Sequence, residues 1–240
     1  MKKSAFILAL WPFALTAQTA QEDADKGFIV DLLEEQLSGD ERRVTIDGFQ
    51  GALSSQATLD QLTAADREGV WLTLSDVALD WNRGALLRGQ VDVSSLSAAE
   101  IILARPPLPG NALPSAEAEP FSLPELPVGI SLGALTVQRL ELGADFVGQP
   151  LTLEIAGSAM LGGGEADFDL KASRLDQTAG VFDLSGGFEN ETRRLIIDLK
   201  LEEDPDGIIA NLIGLQGAPS VWMSLAGDAP LEDFAADLSI

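Results

Sequence analysis

The chain has 240 residues, of which 38 are acidic and 15 are basic, and its formal net charge is −23. A surface this negative repels phosphate backbones, so the composition argues against nucleic-acid binding. The sequence contains no cysteine and no histidine, which excludes disulfides, thiolate nucleophiles, serine–histidine–aspartate triads and the usual zinc sites. We therefore expect a non-enzymatic protein without a metal or another cofactor.

Residues 1–20 have the organisation of a secretory signal. A basic start at Lys2 and Lys3 precedes an apolar run over residues 4–17, and small and polar residues follow. The run is shorter than the ~20 residues of a membrane-spanning helix, and it contains Pro12. The sequence favours a cleaved signal peptide over a signal anchor, and either one places the rest of the chain outside the cytoplasm.

Residues 21–104 are predicted to form an N-terminal helix and a first β segment. Apolar residues at helical spacing predict the helix over residues 27–38, and alternation with a period of two begins at Val44. The apolar positions change parity after Ser75 and Asp76, which indicates a bulge or a turn. Residues 82–84 have turn chemistry, and alternation over residues 87–93 predicts another strand.

Residues 105–127 contain seven prolines, which cannot donate to a strand ladder, so this segment is predicted to be a loop or linker. Strand alternation returns over residues 128–240, a second β segment with a short helix predicted at 207–217. Carboxylates at positions 202–206 lack the other ligands of a calcium loop, and we expect a solvated turn that caps this helix. Alternation persists through the last residues, and we expect the chain to continue beyond Ile240.

The pattern predicts a mainly β fold, an antiparallel twisted sheet with one apolar side. That side could line a trough (a half-barrel) or form the core of a sandwich. The alternation alone favours the core, because a one-sided sheet must bury its apolar face. In the trough interpretation the lining residues of the first segment would be Leu87, Val91, Val93, Ile101 and Leu103.

Five segments in order carry a resemblance to a known family: residues 27–38, 43–54, 62–107, 120–143 and 197–238. Examples are RVTIDGFQGALS in the second and VWLTLSDVALDWNRGALLRGQVDV within the third. Together they resemble the N-terminal region of the TamB family, the translocation and assembly module subunits of the AsmA-like superfamily. Two departures are a short apolar N-terminal run, where the family has a membrane-embedded helix, and a chain far shorter than family members.

The resemblance implies a twisted sheet that curls into an apolar-lined trough, and it thereby favours the trough over the sandwich core. It also implies a periplasmic protein of a Gram-negative bacterium, associated with the inner membrane through its N-terminus. It implies a role in outer-membrane biogenesis, by bridge-type phospholipid transport, by assembly and secretion of autotransporters and other outer-membrane proteins, or by both. The implied partners are phospholipid acyl chains and an outer-membrane β-barrel assembly protein of the TamA/BamA type. The alternative from another class is an exported acidic β-sandwich that binds a protein or a polysaccharide.

Overall fold

The computed structural model describes residues 30, 31, 34, 35, 37–39, 41–51, 54–108, 122–124, 126, 128–176 and 178–239. The predicted signal at residues 1–20 and the middle of the proline-rich segment lie outside the described residues. Within the helix predicted at 27–38, the described residues Val30, Asp31, Glu34, Glu35 and Leu37 are helical.

In the described part of the chain, eleven strands form one open sheet whose strand order is the order of the sequence. All neighbours are antiparallel except β4 and β5. The predicted mainly β, antiparallel fold is thus confirmed, with one parallel pair that the sequence pattern did not indicate. The strands are β1 Arg43–Asp47, β2 Gln56–Asp66, β3 Gly69–Trp81, β4 Gln90–Leu103, β5 Gly129–Leu142, β6 Leu151–Gly162, β7 Glu165–Arg174, β8 Gly180–Glu189, β9 Arg194–Glu203, β10 Val221–Pro230 and β11 Ala236–Ser239.

The parallel pair joins the two predicted β segments into a single sheet. β4 and β5 are in register from Gln90 opposite Gly129 to Leu103 opposite Leu142. A parallel pair needs a long crossover connection, and the proline-rich segment supplies it. At the end of β5 the N–H of Gly143 donates to the Leu103 carbonyl at 2.8 Å.

The parity change after Ser75 occurs within β3, which continues unbroken to Trp81 and keeps its register with β2 and β4 across this point. Asp76 has a φ of 50°, the left-handed conformation that an extended strand does not adopt. Leu74 and Val77, on either side of it, pair with Ile101 and Ala98 of β4, so both strands are irregular at the same level. The irregularity keeps the apolar residues before and after it on one face.

Strand β5 also changes parity. It has register shifts against β6 between Leu132 and Leu135 and between Val137 and Leu140. The β6 partners of its apolar residues are alternate positions of a strand without a shift: Leu151, Leu153, Ile155, Gly157, Ala159 and Leu161. Alternate residues of a regular strand lie on one face. The apolar residues of β5 therefore share one face despite two changes of parity.

Among the described residues, three short α-helices lie in the connections between strands: α1 Arg83–Leu86, α2 Ala144–Val147 and α3 Ile208–Leu212, with a 3₁₀ turn at Leu231–Asp233. The prediction of a helix over 207–217 is too long, because Gly214 and Gly217 have φ values of 70° and 79° that end it. The strand predicted to begin at Leu87 begins at Gln90, since α1 and the turn at Gly89 occupy the preceding residues.

Buried residues concentrate at one end of the sheet, which we call the capped end. It carries the starts of β1, β3, β6, β8 and β10 and the ends of β2, β4, β5, β7 and β9. Helices α2 and α3 lie in connections at this end. Its three apolar clusters centre on Val44 and Ala64, on Leu151 and Leu153, and on Leu201 with Val221.

An ion pair ties the β2–β3 turn to the segment after β4. Arg105 donates from Nη1 and Nη2 to the two carboxylate oxygens of Asp66, at 2.8 and 2.5 Å. The Asp66 carboxylate also accepts from the backbone N–H of Leu108 at 3.0 Å and of Glu68 at 2.8 Å. The hydrogen bonds from Arg105, followed by those from the backbone, hold the pKa of Asp66 well below its usual range.

We predict that Asp66→Asn destabilises the protein at neutral pH. Because the folded-state pKa of Asp66 is depressed, its contribution is complete above the ordinary pKa of about 3.9 and declines as the pH falls further. The free-energy difference between wild type and the variant, measured by urea unfolding, should be constant above about pH 5 and shrink below about pH 4.

Asp228→Asn is the matched control. Asp228 pairs with Arg194 at 2.6 and 2.7 Å, but about half of each side chain is exposed. Solvent screening weakens such a pair, so this variant should lose less stability than Asp66→Asn. Equal losses, or a loss at Asp66 that does not change with pH, would contradict the role given to this carboxylate.

Candidate functional site

One face of the sheet, the apolar face, is defined by two rows of side chains that cross nine strands. Residues directly opposite each other on paired strands lie on the same face. From β2 to β10 the first row is Leu59, Val77, Ala98, Val137, Ile155, Ala172, Phe182, Leu201 and Met223. The second row is Ala57, Leu79, Leu96, Leu135, Gly157, Leu170, Leu184, Leu199 and Leu225.

The opposite face, the polar face, carries hydroxyls and charges. Its matching row from β2 to β10 is Thr58, Ala78, Ser97, Thr136, Ala156, Lys171, Asp183, Lys200 and Ser224. Lys171 Nζ lies 3.4 Å from Asp183 Oδ1 on the neighbouring strand. The two faces therefore differ in polarity along these rows, although the polar face also carries the exposed apolar side chains of Met160, Ile196 and Trp222.

No second layer covers the apolar face within the described part of the chain. Apart from α1 against β4, substantial contacts between elements join only strands that are neighbours in the sheet. Towards the end opposite the capped end, Ile130 remains 38% exposed and Phe168 40% exposed. The sandwich core that the alternation alone favoured is not formed by these residues, and the apolar face remains accessible.

Four of the five predicted lining residues lie on the apolar face of β4: Val91, Val93, Ile101 and Leu103. Their partners on β5 are also apolar: Ile130, Leu132, Leu140 and Leu142. All four side chains of β4 are partly buried. Leu87 is not among them, because it follows α1 in a helical conformation and is 93% exposed.

Helices α2 and α3 cover the apolar face at the capped end. Ile208 of α3 belongs to a cluster with Leu151, Leu153 and Ala172, against which Val147 of α2 also packs. Ala210, one turn further along α3, is completely buried and belongs to the cluster of Leu201 and Val221. The apolar face is therefore covered at one end and accessible towards the other.

Two charged residues on the apolar face, Arg174 and Glu203, hold α3 in place. Arg174 Nη1 donates to Glu203 Oε1 at 3.0 Å, and the side chains are 4% and 0% exposed. The Glu203 carboxylate also accepts from the backbone N–H groups of Ile208 at 3.2 Å and Ile209 at 2.8 Å. It thereby replaces a side-chain cap at the helix start, which Gly207 cannot supply.

Sequence reasoning missed this pair. The carboxylates at 202–206 were predicted to form a solvated turn that caps the helix, and Asp204 and Asp206 are indeed exposed. Glu203, however, lies inside β9 at the inward parity of Leu199 and Leu201, which is the signal that could have identified it. Its partner Arg174 is 29 residues away in the sequence, and spacing gives no indication of that contact.

The described residues contain no group of three or more acidic side chains able to hold a metal ion. No helix in the described part is long and apolar enough to span a bilayer. The sequence matches no family model, no curated protein and no solved structure. The class is therefore defined by geometry: an open, single-layer β-sheet with one apolar and one polar face.

We predict that Glu203→Ala destabilises the protein by about 3 kcal/mol, the cost of breaking a buried ion pair. The variant leaves Arg174 with Asp176 as its remaining carboxylate partner and removes the cap of α3. Urea unfolding measures the loss, and Glu202→Ala is the control, because Glu202 is exposed on the polar face. The control should stay within about 0.5 kcal/mol of wild type; similar losses in both variants would contradict the anchoring role of Glu203.

Proposed function

We propose that this chain is the N-terminal portion of an inner-membrane-associated periplasmic protein of the TamB type, and that acyl chains of phospholipids bind along its apolar face. The observation that carries the proposal is the pair of uninterrupted apolar rows across nine strands without a second described layer. An accessible apolar surface of this extent usually marks a binding site.

The size of the face supports an extended apolar ligand. Strands are spaced about 4.8 Å apart, so a row across nine strands is about 40 Å long, measured along the sheet. The hydrocarbon of one membrane leaflet is about 15 Å thick, half of the ~30 Å bilayer core. The apolar face is therefore longer than a single acyl chain. This extra length is required if an acyl chain is to move along the face while it stays bound.

The energetics support movement as well as binding. Each buried CH₂ group gains about 0.8 kcal/mol on leaving water. Because neighbouring positions of the rows carry similar aliphatic side chains, a shift along the face exchanges one set of contacts for an equivalent set. An acyl chain would then encounter no deep minimum, and no side chain needs to perform chemistry.

The resemblance of the five ordered segments to the TamB family supports the cellular context. It suggests transport of phospholipid towards the outer membrane or assistance to outer-membrane protein assembly, with a TamA/BamA-type β-barrel as the distant partner. The five segments include all or part of eight of the eleven strands.

We predict that Val91→Asp weakens acyl binding about tenfold or more, because a carboxylate on the apolar face would have to be desolvated. The experiment is a fluorescence titration of the purified chain with cis-parinaric acid, together with native mass spectrometry for co-purified phospholipid. Ser97→Asp is the matched control: it places the same charge on the polar face of the same strand.

Wild-type binding by Val91→Asp would overturn acyl binding at this part of the face. A wild-type chain that neither carries phospholipid nor binds the fatty acid would overturn the proposed function as a whole. The exported module that binds a protein or a polysaccharide would then be the better explanation.

A further inference from the structure

A cavity of about 650 Å³ at the capped end is lined by three arginines, Arg42, Arg43 and Arg67. It lies where β1 begins and β2 ends, beside the segment that follows β4. Leu108 of that segment contributes an apolar side chain to the lining. The cavity thus lies beside the Asp66–Arg105 ion pair, since the Leu108 N–H donates to Asp66.

These arginines stand out in a chain with 38 acidic and only 15 basic residues. Beyond residue 100, every described lysine and arginine is in an ion pair with a carboxylate: Arg105, Arg139, Lys171, Arg174, Arg193, Arg194 and Lys200. Arg43 and Arg67 pair with no carboxylate of the described residues. Arg42 donates from Nε to the Leu37 carbonyl at 2.8 Å.

The acidic residues of the lining do not cancel this charge. Asp66 is engaged by both Nη groups of Arg105, and its side chain is 5% exposed. Glu41 is the other carboxylate of the lining. Three guanidinium groups against Glu41 leave a net positive cavity in a molecule whose overall charge is −23.

The backbone that carries the arginines is held in position. Gly39 and Arg42 exchange backbone hydrogen bonds of 2.8 and 3.2 Å just before β1. Arg67 follows Asp66 directly, at the turn that Asp66 closes through its bonds to Arg105 and to the Glu68 N–H. The three side chains therefore project from fixed points, which lowers the entropic cost of binding an anion.

We propose that this cavity binds the phosphate group of a phospholipid headgroup. Guanidinium groups pair with phosphate oxygens through two parallel hydrogen bonds. Asp66 of the lining lies two residues beyond the buried Ala64 in β2, at the parity of the apolar face, whereas Arg43 and Ala65 lie at the opposite parity. A lipid with its phosphate here would extend its acyl chains along the partly buried Leu72 and Leu103, which are paired on the neighbouring strands β3 and β4. This inference rests on the proposed function and assigns the headgroup a place in it.

The test is a calorimetric titration of the full chain with dihexanoyl phosphatidylglycerol below its micelle concentration. We expect the double variant Arg43→Gln/Arg67→Gln to bind about tenfold or more weakly, with a smaller dependence on salt. Arg88→Gln is the matched control, since Arg88 is an exposed arginine in the turn before β4, at the opposite end of the sheet. Circular dichroism verifies that both variants fold.

Inorganic phosphate and glycerol phosphate, titrated in parallel, distinguish the two sources of the anion. If they bind as tightly as the lipid and lose affinity in the double variant, the site accepts free phosphate and the headgroup assignment is overturned. Equal affinity of wild type and the double variant for the lipid overturns the site altogether.

The outcome is separable from that of the proposed function. Loss of fatty-acid binding in Val91→Asp, with lipid affinity unchanged in the arginine variant, would overturn the headgroup site and support the acyl face. Loss of lipid affinity in the arginine variant, with fatty-acid binding unaffected by Val91→Asp, would support the phosphate site and count against transport along the face.

Discussion

The fold depends on keeping the apolar side chains of successive strands on one face of a single sheet. A strand that shifts by one residue turns its entire apolar set to the other side. Strands β3, β4 and β5 change parity in the middle, and irregularities at matching levels restore the common face. The left-handed backbone at Asp76 is therefore a requirement for the apolar rows and not a defect in the ladder.

A single-layer sheet cannot bury its apolar residues against another sheet, and its stability has to come from elsewhere. Here the clusters at the capped end, under α2 and α3, supply the most complete burial. The Arg174–Glu203 pair fixes the position of α3 but adds little net free energy of folding, because the desolvation cost of a buried ion pair offsets much of its attraction. Its consequence is that α3 covers one end of the apolar face at a defined place.

The first edge of the sheet is protected as well. The N–H groups of Val44 and Ile46 point away from β2, and they donate to Ser38 Oγ at 2.9 Å and Glu34 Oε1 at 2.6 Å. Side-chain acceptors thereby occupy sites at which another strand could pair. The helical residues before β1 therefore cover this edge with their polar atoms, and Val30 packs against the apolar face.

The alternation in the sequence determined which residues of each strand lie on the apolar face, because successive side chains of an extended chain point to opposite faces of the sheet. It was sufficient to predict the mainly β fold and the common face of Val91, Val93, Ile101 and Leu103; their contact with lipid stays a prediction. It misplaced Leu87, since α1 is a single turn whose sequence also fits a strand. Tertiary structure alone decided the parallel pairing of β4 with β5, the contact of Arg174 with Glu203, and the meeting of Arg42 and Arg43 with Arg67. Each of these contacts depends on strand order and register, which bring together residues that are far apart in the chain. Local sequence patterns do not indicate such long-range contacts.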